Sequence, residues 1–111
     1  VDTIQKTVQP PALTASLNIK PQEIYKGKSD YLLVYENQTD VLGLEPDMRE
    51  LITVPARGVI ATAPGDDVDF VSRFFGPQSG IDEDPVTGSA HTTLAAFWAG
   101  RLGKTEFTAR Q

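Results

Sequence analysis

The residues with the clearest chemical potential lie together in one run, Asp82-Glu83-Asp84-Pro85-Val86-Thr87-Gly88-Ser89-Ala90-His91. Pro85 disfavours the αR conformation at Asp84 and so sets an extended approach, while Thr87, Gly88 and Ser89 are residue types that open helices. The backbone N–H groups of a first helical turn have no internal acceptors. Thr87 to Ala90 would therefore present donors together with the positive end of the helix dipole, a combination suited to a carboxylate or a phosphate. Gly88 allows close approach of a ligand to the backbone, and the Thr87 and Ser89 hydroxyls add donors. The plainer alternative is that Thr87 or Ser89 only caps the helix. Asp84, its direction fixed by Pro85, is placed for proton transfer or for holding a substrate amine or hydroxyl; alternatively it accepts a backbone N–H near the helix start. Three successive carboxylates would repel an anion unless they point away from it or one carries a proton. His91 lies close to the positive helix end, which disfavours its charged form and suits a neutral imidazole bonded to a strand carbonyl.

These residues need a helix behind them and strands around them. From Ala90 to Leu102 only Gly100 interrupts helical character, and Gly103 is a natural stop, with Arg101 and Lys104 matched to the negative end. Ala90, Leu94, Phe97, Trp98 and Leu102 share one face, and Ala95, Ala96 and Ala99 fill most of the rest, so a buried helix with a sheet curled round it is expected. The run is well short of the roughly 20 apolar residues of a membrane span.

Upstream, Thr3 to Val8 reads as a short strand and Ala12 to Leu17 as a short helix entered through Pro10-Pro11. Glu23 to Lys26 and Tyr31 to Glu36 read as a hairpin whose second strand is apolar on both alternations and therefore an inner one. Asn37 to Asp40 is expected as a turn, Val41 to Leu44 as another short strand, and Pro46 to Leu51 as a second short helix. Gly58 to Ala63 and Val68 to Phe75 are expected as a second hairpin in which Arg73 occupies the face opposite Phe74 and pairs with a local carboxylate rather than contacting substrate. Gln78 to Asp84 is expected as a polar loop and Thr105 to Ala109 as the start of a strand. The fold class is α+β: an antiparallel-rich curved sheet wrapped around one central helix.

Composition narrows the functional classes. The chain has 111 residues, 40% hydrophobic and 23% charged, which is ordinary for one small domain. A formal net charge of -5 argues against nucleic acid or an anionic membrane surface as partner. The absence of cysteine removes thiol chemistry and disulfides, and one histidine cannot make a His-rich metal site. No signal segment or span is visible, so a cytoplasmic protein is the expectation. The start at Val1 and the stop at Gln111, just after a strand begins, suggest a fragment.

Val71-Ser72-Arg73-Phe74-Phe75, Gly80-Ile81 and Glu83-Asp84-Pro85-Val86-Thr87-Gly88-Ser89-Ala90-His91, followed by Trp98, resemble the phenazine-biosynthesis-protein (PhzF-like) isomerase family. The resemblance extends from about Pro11 to Gln111. It implies two pseudo-symmetric domains of the diaminopimelate-epimerase-like fold, of which residues 1–111 would be most of the second. It also implies a cofactor-independent shift of a proton between carbons of a small carboxylated substrate in the cleft between domains. On that resemblance Asp84 is the second-domain acid, Gly88 and Ser89 donate backbone N–H groups to a substrate carboxylate, and His91 completes the motif. The family's main catalytic glutamate belongs to the first domain, and its Ser-x-Arg-Gly-Gly segment would follow Gln111, so residues 1–111 alone are expected to be inactive. The lack of cysteine fits the family's distinction from the related epimerases, which use paired thiols. Thr92-Thr93 depart from the small or apolar residues common there and fall in the helix. Two other readings remain: a module that only binds small carboxylates at Ser89, and a scaffold that forms a homodimer through an exposed edge.

Overall fold

A computed structural model describes residues 5–7, 11–27, 30–54, 58–66, 68–76, 81–84, 94–95, 97–101, 103 and 109–110. Its elements in chain order are β1 (Gln5–Lys6), α1 (Pro11–Ser16), β2 (Glu23–Lys26), β3 (Asp30–Val34), α2 (Gln38–Leu42), α3 (Met48–Leu51), β4 (Gly58–Pro64), β5 (Phe70–Gly76), β6 (Ile81–Asp84) and β7 (Ala109–Arg110). Residues 94–95 and 97–101, between β6 and β7, are helical and are labelled α4. The class is α+β, as expected.

The strands form a single sheet in the order β1-β2-β3-β4-β5-β6, with β7 also paired to β5. The two expected hairpins are present as antiparallel pairs, β2 with β3 and β4 with β5. β3 and β4 instead run parallel, and α2 and α3 fill the crossover that a parallel pair requires. β3, apolar on both alternations, is buried at all five positions, as an inner strand between two neighbours must be.

Each face of the sheet carries its own core. On one face Leu13, Val41, Leu44, Leu51 and Val54 from the α1–α3 layer pack on Tyr31, Leu33 and Tyr35 of and just after β3, on Val59, Ala61 and Ala63 of β4, and on Val71 and Phe75 of β5. On the other face Leu94 and Trp98 of α4 pack on Leu32, Val34, Ile60, Phe70 and Phe74. The alternation of the strand residues between these sets is the two-residue period of a pleated sheet. Tyr35 places its ring in the first core and donates its hydroxyl to the Ile19 carbonyl at 2.8 Å; burial, aided by Asp40, pushes its pKa strongly up.

Two sequence expectations are corrected. Asn37 to Asp40 is not an isolated turn, and Val41 to Leu44 is not a strand. The Asn37 side chain accepts the Asp40 N–H at 2.9 Å and caps α2, which then buries Val41 and leaves Leu42 exposed. The cap outweighs the β-branched character of Val41, and Val41 and Leu44, three apart, both reach the core. The second correction concerns Gln78 to Asp84: its last four residues, Ile81–Asp84, are strand β6 on the outer side of β5. Polar composition hid a strand that needs only one partner.

Candidate active site

β5 is the strand around which the candidate residues gather. On one side it pairs with β4 along Phe70 to Phe75. On the other side the ladder is divided, because β7 pairs with Phe70 and Val71 while β6 pairs with Phe74 and Gly76, with an irregularity between those two. Asp84, the last residue of β6, is the Cα partner of Phe74. Asp84 therefore lies beside the division, and Ser72 and Arg73 have no ladder partner on this side among the described residues.

The two faces of β5 beside the division differ sharply. Arg73 faces the α1–α3 layer, where Nε and Nη2 each donate at 2.9 Å to the two carboxylate oxygens of Glu83. Its Nη1 donates to the carbonyls of Val41, at 3.0 Å, and Leu44, at 2.8 Å, and its guanidinium lies 4.9 Å from the Phe75 ring centre. The ion pair expected for Arg73 is thus present, and the same guanidinium also donates to carbonyls at and just after the end of α2. Hydrogen bonding to Arg73 holds the Glu83 carboxyl below the usual range, against the opposing effect of its partial burial.

On the opposite face Trp98 fixes α4 to the sheet. Its indole Nε1 donates to Thr62 Oγ1 at 3.1 Å, and Thr62 Oγ1 donates in turn to the Val71 carbonyl at 2.7 Å. Trp98 also stacks on Phe70, with ring centres 5.8 Å apart and 9° between planes, and meets Phe97 edge-on. Ser72, the Cα partner of Thr62, is buried, and its Oγ has no hydrogen-bond partner among the described residues. At the far end of α4, Arg101 forms a two-pronged pair with Glu23 of β2 and lies over Phe97. The helix stops where Gly103 adopts φ 68° and its N–H reaches the Ala99 carbonyl at 2.9 Å, as the glycine predicted. Polar side chains in the middle and at the C-terminal end of the described part of α4 thus tie it to the sheet.

The sequence profile of the phenazine biosynthesis-like protein (PhzC-PhzF) family matches residues 4–111. The chain belongs to that family. An isomerase of Pseudomonas aeruginosa, itself described as uncharacterised, is 49% identical over 102 residues, which cover 92% of this chain and 39% of the relative. A second uncharacterised isomerase, from Halalkalibacterium halodurans, is 38% identical over 109 residues, covering 96% of this chain and 41% of the relative. Among solved structures, a phenazine biosynthesis PhzF-family protein of Enterococcus faecalis superposes with a TM-score of 0.88 at 40% identity, over 95% of this chain and 40% of its own. The phenazine biosynthesis-like chain therefore spans about two fifths of the length of these relatives.

Of the expected site residues of this phenazine biosynthesis-like chain, the backbone of Asp84 is located at the end of β6, whereas Thr87, Gly88, Ser89 and His91 lie outside the described residues. Among the described residues no three His, Cys, Asp or Glu side chains converge in a way that would hold a metal ion, and no helix is long and apolar enough to cross a membrane. The sequence reading identifies neither Glu83 as the partner of Arg73 nor Thr62 as the partner of Trp98. The signal for Glu83 was its place in an acidic run within reach of an arginine strand; Thr62 gave none, being one more β-branched residue in a strand.

Proposed function

We propose that the full-length protein is an isomerase that moves a proton between carbons of a small carboxylated substrate without a cofactor, with Asp84 as an acid/base of the site. The observation that supports this most is the position of Asp84, at the strand end where the outer ladder of β5 divides, within a chain that matches the family over nearly its whole length and whose relatives are named isomerases. In the proposed reaction a carboxylate takes a proton from one carbon, the electron pair left behind delocalises toward the substrate's unsaturation, and a proton returns at another carbon. Atoms and charge balance without an oxidant or a metal.

Asp84 acts in this scheme on the reacting part of the substrate, and Gly88 and Ser89, with Thr87, bind its carboxylate at the helix start. His91 completes the motif. The family resemblance assigns the principal acid/base to a glutamate of the other domain. Incubating the full-length protein in D2O with a panel of unsaturated amino and hydroxy carboxylic acids tests the proposal. Enzyme-dependent incorporation of deuterium at carbon is expected; calorimetric binding of these acids with no incorporation for any of them would instead make the protein a carboxylate-binding module.

A further inference from the structure

We propose that Arg73 and Glu83 are positioning residues, which hold β6 so that Asp84 stands at a fixed place beside α4. The proposal rests on the reading of Asp84 as a site residue. β6 is four residues long, its pairing to β5 is interrupted between Phe74 and Gly76, and no strand flanks its outer side among the described residues. Backbone pairing alone gives such a strand little resistance to slipping or lifting, and a slip by one residue exchanges its two faces.

The side chains supply what the ladder lacks. Arg73 is about four-fifths buried and makes four hydrogen bonds, two to Glu83 and two to the Val41 and Leu44 carbonyls. The planar guanidinium makes this a rigid bracket between the end of α2, β5 and β6. Glu83 is held on the face of the α1–α3 layer, so strand alternation puts position 84 on the other face, where α4 packs. Fixing the roll of β6 at Glu83 thereby fixes it at the next residue. The carboxylate of Glu83 is 42% exposed, so the pair contributes little to global stability, and its value is geometric.

Glu83→Gln and Glu83→Ala remove the same charge, but glutamine keeps an acceptor for Arg73. Differences between them therefore report geometry. In the full-length protein, amide hydrogen exchange at Ile81–Asp84 is expected to rise at least about tenfold in Glu83→Ala, with β4 unchanged and Glu83→Gln close to wild type. The ¹³C titration of the Asp84 carboxyl should likewise differ between the two variants. Equal behaviour of the two variants in both measurements, or faster exchange in β4 to the same extent as in β6, would overturn the proposal. Neither readout depends on turnover. A failure of Asp84 as an acid/base would therefore show in D2O exchange while leaving the β6 result intact.

Discussion

Replacing Thr62 by Val tests how α4 is held on the sheet. The two side chains are nearly the same shape, so the substitution removes one oxygen from a site with no exposure and leaves the packing volume in place. Trp98, 1% exposed, then keeps an indole N–H with no acceptor, and such a stranded donor costs about 1–3 kcal/mol. The added methyl returns roughly 0.8 kcal/mol of apolar burial, so the net loss is about 0.5–2 kcal/mol. A double-mutant cycle separates the hydrogen bond from the rest. In a Trp98→Phe background the indole donor is gone, and Thr62→Val should cost about 1–2 kcal/mol less than it does beside Trp98. Urea unfolding of the four proteins supplies the free energies, and the indole ¹⁵N–H resonance of Trp98, the single tryptophan of this sequence, reports whether the bond is lost. Additivity within about 0.5 kcal/mol, with the indole resonance unmoved by Thr62→Val, would refute the assignment of this bond as an anchor of α4.

Three further outcomes are expected. A Cβ at Gly58 would overlap the buried Phe74 ring, so Gly58→Ala should destabilise the protein by about 1–3 kcal/mol in denaturant melts; a neutral result would mean that the ring moves freely. Ser72 buries a hydroxyl with no partner among the described residues, so Ser72→Ala should leave stability unchanged or raise it by about 1 kcal/mol, and a loss on that scale would reveal a hydrogen bond to the serine. For pH, the folded pKa of Glu83 lies below its unfolded value, so its pairing with Arg73 stabilises fully above the unfolded pKa and the contribution is lost as pH falls through the folded one. Because Glu83 is exposed, Glu83→Gln should flatten the acid limb of the stability curve below about pH 4.3 only slightly, and a Glu83 carboxyl that does not titrate below the ordinary glutamate range by ¹³C NMR would contradict the pairing in solution.

What could be read from the sequence divides along physical lines. Periodicity identified β3, β4 and β5, because an inner strand such as Tyr31 to Val34 must be apolar on both faces. Glycine chemistry placed the end of α4 at Gly103. Where one short polar side chain decides, the reading failed: Asn37 captures the Asp40 amide and turns an expected strand at Val41 into a helix. Long-range polar bonds were likewise out of reach. Asn18, legible only as a helix end, donates to the Gly43 carbonyl and accepts the Glu45 amide, joining segments more than twenty residues apart. For the site, the motif from Glu83 to His91 was plain in the sequence, whereas the division of the β5 ladder beside Asp84 arises from strands that arrive separately, and no local pattern encodes it.

The central claim, that Asp84 moves protons on a carbon acid, is tested most directly by solvent deuterium exchange in the full-length protein and its Asp84→Asn variant. Asparagine preserves the shape of the residue and one acceptor oxygen but cannot accept a proton from carbon. The account predicts that deuterium incorporation into the accepted carboxylate falls by at least about a hundredfold, within the range expected for loss of a general acid/base, while calorimetric affinity for that carboxylate is retained. Incorporation at the wild-type rate in Asp84→Asn would contradict it.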